Sequence, residues 1–112
     1  LERLKKRSDY LIITKAGQRF VTPAFILQVY HRTSENTARI GFTASRKVGG
    51  AVERNRAKRR LRALAHQFLM PLACQSTDYV LIARKEALTR TYALMAEDLQ
   101  KALTTIKKRD QI

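Results

Sequence analysis

The spacing of apolar residues switches near residue 51 of this chain, and that change limits the folds open to it. Before it, Phe25, Leu27 and Val29 interleave with Ile26, Gln28 and Tyr30, and Ile40 and Phe42 fall on one side of residues 39–44. A period of two belongs to strands. After it, Ala57, Leu61, Leu64 and Phe68 recur at i, i+4, i+7 and i+11, the stripe of a helix packed on a core, and Pro71 stops that helix. The junction, Ser45-Arg46-Lys47-Val48-Gly49-Gly50, carries two glycines that free the backbone for unusual dihedrals. A strand that runs straight into a long helix points to helices packed on one small sheet.

The remaining segments complete the pattern. Ser8 as N-cap, Asp9 in the first turn and Gly17 as a stop predict a helix over residues 8–16. A short strand is expected over residues 19–22, before Pro23, and a polar turn over residues 33–37. Residues 78–83 form a buried strand. A last helix over residues 91–107 turns Met95, Leu99, Leu103 and Ile106 inward. The order is αβββαβα, an α+β fold with a four-stranded sheet. With no repeat, low-complexity tract or Gly/Ser linker, residues 1–112 are expected to form a single domain with basic, frayed ends.

Charge narrows the function. The chain has 23 Lys and Arg against nine Asp and Glu, a net charge of +14 on 112 residues. Such a charge repels itself, and a polyanionic partner is the simplest reason for a small domain to carry it. No stretch approaches the ~18 consecutive apolar residues of a membrane span. The lone Cys74 offers no internal disulfide, and a reducing cytoplasm suits it.

Residues 39–62 hold nine basic residues and one acid, Glu53, and so carry +8 of the +14. At about 100° per residue, Asn55, Arg59, Arg62 and His66 share the helix face opposite the apolar stripe, with Arg54, Arg56, Lys58 and Arg60 on the flanks. A solvated face laced by salt bridges would need acids three or four positions away, and only Glu53 is there. Phosphate binding explains the excess better, because the guanidinium fork meets phosphate in a bidentate way. No helix-turn-helix partner or dimer heptad accompanies the basic helix, so RNA suits it better than duplex DNA. Two histidines 35 positions apart, His31 and His66, and scattered acids supply no protein-borne nuclease centre.

From Arg39-Ile40-Gly41-Phe42-Thr43-Ala44-Ser45-Arg46-Lys47-Val48-Gly49 through Arg54-Asn55-Arg56 to Arg62, the sequence resembles the protein subunit of bacterial ribonuclease P, whose signature is the "RNR" tripeptide. The likeness continues at residues 4–10, a match to that family's N-terminal helix start, and at residues 78–84, a match to its last strand. The resemblance implies a left-handed strand-helix-strand crossover through the glycine loop, against the usual hand. It also implies an accessory subunit of the enzyme that removes the 5′ leader from precursor tRNA. In that family the RNA subunit carries the active site and its Mg²⁺ ions, and one protein is expected per RNA.

Carried over residue by residue, the resemblance implies that Arg46, Lys47, Arg54, Asn55, Arg56, Lys58, Arg59 and Arg62 contact the catalytic RNA. Tyr10, Thr14, Phe20, Gln28 and Tyr30 are the corresponding candidates for the precursor-tRNA leader. Thr14 and Gln28 stand where the family often has aromatics. A structural RNA binder of ribosomal type remains the alternative, since phosphate docking alone serves either role.

Overall fold

A computed structural model describes residues 2–32 and 37–110, so most of the expected polar turn over residues 33–37 lies outside the described residues. The elements are β1 (Glu2–Arg3), α1 (Arg7–Ala16), β2 (Gln18–Val21), β3 (Phe25–His31), β4 (Arg39–Ala44), α2 (Ala51–Phe68), β5 (Thr77–Ala83) and α3 (Tyr92–Asp110). Short 3₁₀ turns cover Arg46–Val48, Met70–Leu72 and Lys85–Leu88.

The sheet has five strands rather than four, in the order β1-β4-β5-β3-β2. The extra strand is two charged residues long, too short to show a period. Backbone bonds hold it at the edge: the Glu2 N–H donates to the Ala38 carbonyl at 3.1 Å, and the Leu4 N–H to the Ile40 carbonyl at 2.8 Å. β4 and β5 pair in parallel and are joined through α2, which is the strand-helix-strand crossover; β3 runs antiparallel to β5. Helix α1 starts one residue before the expected Ser8. Lys6 takes the N-cap position without a side-chain cap bond, so Ser8 lies inside the first turn.

Strand pairing sorts residues onto two faces. On one, Phe25, Leu27, Val29, Ile40, Tyr79, Leu81 and Ala83 meet Ala57, Leu61, Leu64 and Ala65 of α2 and Met95, Leu99, Ala102 and Ile106 of α3. Each fully buried Leu or Phe there contributes about 1.5–3 kcal/mol relative to exposure. The other face carries three rows: Ile26–Ile82–Thr43, Gln28–Val80–Gly41 and Tyr30–Asp78–Arg39. A smaller cluster of Leu4, Ile13 and Val80, flanked by Tyr10, Tyr30 and Ile82, seats α1 on this face.

Candidate nucleic-acid interface

The apolar stripe of α2 is buried at Ala57, Leu61 and Leu64, which leaves Asn55, Arg59 and His66 exposed on the far side and Arg62 exposed on the flank toward β4. The flanking cations differ in what they do. Toward the 3₁₀ turn Lys85–Leu88, Arg60 donates from Nη1 to the Ala87 carbonyl at 2.6 Å and from Nη2 to the Arg90 carbonyl at 2.7 Å. Arg56 reaches the Leu88 carbonyl from the same flank at 3.3 Å and stays exposed. Arg60 therefore satisfies carbonyls at the end of a short turn and ties that turn to α2. Among the described residues, Arg54, Lys58 and Arg59 have no hydrogen-bond or ion-pair partner, and the Arg62 guanidinium lies over the Phe42 ring, 5.8 Å from its centroid. The expected outcome for Arg60→Ala is a loss of about 2 kcal/mol of stability, from two charged hydrogen bonds, read as a lower urea midpoint.

The loop before α2 is set by Gly49, whose φ of 146° disfavours any side chain. A Cβ there would also come within 2.8 Å of Glu53 Cβ, which packs back over the turn. Val48, 3% exposed, pins the loop and leaves Arg46 and Lys47 exposed beside it. Ala44 lies opposite Ala83 in the parallel pair, so both strands leave the sheet at the same end. Exposed Lys85 opens the 3₁₀ turn that packs beside the Arg46–Val48 turn, whereas Arg84 reaches the other way and donates from Nη1 to the Thr22 carbonyl at 2.8 Å. Sequence reasoning missed Lys85, because only the parallel register of β4 and β5 brings the two turns together.

Across the sheet, α1 lies over two of the three rows. Its Asp9 meets Arg39 at 3.4 Å, in the row that holds Asp78. Tyr10 lies with its ring on the bare backbone of Gly41, where an added Cβ would collide with the ring and its hydroxyl. The Tyr10 hydroxyl donates to the Leu4 carbonyl at 3.2 Å. Burial pushes its pKa up, and Arg3 pulls it part of the way back. Helical rotation places Tyr10 and Thr14 on the flank away from Asp9, along the remaining row of half-exposed Ile26, Ile82 and Thr43. The result is an open, mostly apolar groove with a tyrosine in one wall.

The five sequence candidates for this groove part company. Tyr10 and Thr14 border it. Gln28 is 3% exposed in the middle row, which α1 covers. Tyr30 stands in the third row, beside Asp78. Phe20 pairs with Leu27 and so faces the opposite side, where it packs against the main core and lines a groove of about 390 Å³ with Asp98, Lys101 and Ala102 of α3. Parity explains the difference for Phe20 and coverage explains it for Gln28. The residues that floor the groove, Ile26, Ile82 and Thr43, were legible only as sheet residues.

Arg39, counted in the basic block, turns inward. It grips Asp78 through Nε–Oδ1 at 2.8 Å and Nη2–Oδ2 at 2.7 Å, while Arg32 Nε approaches the same carboxylate at 3.4 Å. The hydrogen bonds that Arg39 donates to Asp78 are the main reason its pKa is raised, against an opposing pull from burial. No group of three or more His, Cys, Asp or Glu side chains among the described residues could hold a metal ion. No helix among them is long and apolar enough to cross a membrane.

The family model described as Ribonuclease P matches residues 1–107. The chain belongs to the ribonuclease P protein family. It is 47% identical over 106 residues to the ribonuclease P protein component of Caulobacter vibrioides, covering 94% of this chain and 70% of that one. Against the component from Paramagnetospirillum magneticum it is 42% identical over 110 residues, with 95% and 83% covered. The solved RNase P protein of Staphylococcus aureus superposes with a TM-score of 0.77 at 27% identity, covering 96% of each chain. That of Thermotoga maritima gives 0.75 at 28% identity, covering 92% of this chain and 96% of the other. Membership in the ribonuclease P protein family makes the chain a component of a tRNA-processing ribonucleoprotein, with an RNA partner.

Proposed function

We propose that α2 and the Arg46–Val48 turn dock on the catalytic RNA of ribonuclease P, one protein to one RNA in the cytoplasm, and that the groove beside α1 takes the 5′ leader of precursor tRNA. Arg54, Asn55, Lys58, Arg59 and Arg62 face the RNA subunit, with Arg56 at the margin and Arg46 and Lys47 on the adjoining loop. The leader lies along Tyr10, Thr14, Ile26, Ile82 and Thr43 and reaches Lys85, where the two surfaces meet. On the family resemblance, cleavage and the Mg²⁺ it uses are assigned to the RNA subunit.

The observation that carries this reading is the separation of two surfaces. Unpaired cations crowd one helix on one side of the sheet, and an open apolar row beside a tyrosine lies on the other. A ribosomal-type RNA binder has use for the first surface and none for the second.

Reconstitution with a bacterial ribonuclease P RNA at low Mg²⁺ tests the reading. Stimulated cleavage of precursor tRNA is expected; tight binding without stimulation would favour the structural alternative. In the same assay, Tyr10→Ala should weaken binding of leader-bearing tRNA by roughly tenfold, as for loss of about 1–2 kcal/mol of base stacking. Mature tRNA should be bound as before. Equal losses for both substrates would remove the groove from the account.

A further inference from the structure

We propose that Phe42 is a positioning residue for RNA docking: its ring fixes the plane of the Arg62 guanidinium at the seam between β4 and α2, before any RNA arrives. The inference rests on the docking role of α2 proposed above.

Phe42 shares its face with Ile40 and Leu81, on the α2 side of the sheet. It is only half-buried there, so part of the ring stays open at the surface. Arg62 projects from the exposed side of α2, and its guanidinium carbon comes to rest 5.8 Å from the ring centroid. That is within the range of attraction between a cation and an aromatic face.

The kind of partner matters. A carboxylate would fix the guanidinium and also neutralise it. Backbone carbonyls, as at Arg60, would occupy its N–H donors. A ring does neither: it holds the plane from one side and leaves the charge and the donor edges available. An arginine on a bare helix loses rotamer freedom when it binds phosphate, and one already held loses less. Arg59 is exposed on the same helix with no ring contact among the described residues, and it is the internal control.

The test is a pair of double-mutant cycles, measured as affinity of the full chain for a bacterial ribonuclease P RNA at one fixed salt concentration. Phe42→Leu, which keeps the site apolar, is expected to weaken binding about two- to fivefold. In an Arg62→Ala background the same change should weaken it no further, whereas with Arg59→Ala the two losses should multiply. Phe42→Tyr, which keeps the aromatic face, should restore parental affinity. The salt slope should be unchanged in Phe42→Leu and lower by roughly 0.7–0.9 in Arg62→Ala.

Thermal melts accompany every variant. If Phe42→Leu lowers the midpoint, Phe42→Met replaces it in the cycle, because methionine refills the space without a ring. Parental affinity in the ring-free variant, or losses that multiply with Arg62→Ala, would overturn the positioning role. Parental affinity and slope in Arg62→Ala would instead overturn Arg62 as a docking residue, the reading beneath it.

Discussion

Replacing Asp78 with alanine should remove about 3–5 kcal/mol of folding stability, the usual effect of breaking a buried ion pair by deleting one partner. Asp78 is 1% exposed and meets the guanidinium groups of both Arg39 and Arg32. Without it, two cations share a half-buried site, with Asp9 and more weakly Glu2 near Arg39 to answer them. Against a typical total of about 5–15 kcal/mol, that leaves a marginal domain. The check is a urea unfolding curve, where the midpoint should fall steeply. Pairing Asp78→Ala with Arg39→Met should recover part of the loss, since the uncompensated charge is the larger share of the damage. A midpoint that does not move in the single variant would show the network to be ornamental. Because Arg39 also holds Asp9 of α1, the surviving folded fraction should lose leader preference before it loses affinity for the RNA subunit.

Reversing two charges on α2, Arg59→Glu with Arg62→Glu, should abolish assembly with the RNA subunit at moderate salt. Each phosphate contact removed lowers the log–log salt slope by roughly 0.7–0.9, and each new carboxylate adds repulsion against phosphate. Together they should lower affinity by about a hundredfold or more at physiological ionic strength. Both side chains are exposed and neither holds the fold through a hydrogen bond or ion pair among the described residues, so the melting midpoint should hold or rise as like-charge repulsion is relieved. Arg60→Ala is the mirror case, with lower stability and an unchanged salt slope. Retained assembly in the double reversal would remove α2 as the dock.

These two experiments also separate what the sequence disclosed from what it hid. The stripe Ala57/Leu61/Leu64 and the exposure of Asn55, Arg59, Arg62 and His66 follow from helical rotation alone, and both stand in the structure, with Arg62 turned toward Phe42 on the flank. Strand parity likewise placed Ile40 with Phe42 and Leu27 with Val29. What stayed hidden depends on partners distant in the chain. Arg60 sits in the same basic run as Arg59, and only the carbonyls of Ala87 and Arg90, 27 and 30 positions on, make it structural. Arg39 turns inward because Asp78 lies beside it in the parallel register. Of the leader candidates, Phe20 faces away from the groove through its pairing with Leu27, and Gln28 lies in the shadow of α1. Strand β1 escaped because two residues, Glu2 and Arg3, carry no pattern.

The strand order sets a timetable for biosynthesis. β5 is the last strand to be made, yet it occupies the middle of the sheet, and β3 and β4 touch it rather than each other. Until residue 83 has cleared the ribosome, the β2–β3 hairpin and the β1–β4 pair are two fragments with no shared edge, and isolated two-stranded pieces are marginal in water. The nascent chain thus spends most of its synthesis as an unassembled polycation in a compartment rich in RNA. Closure is a late, long-range event of the kind that folds slowly, and an RNA partner that captures the finished basic helix would draw the last step forward.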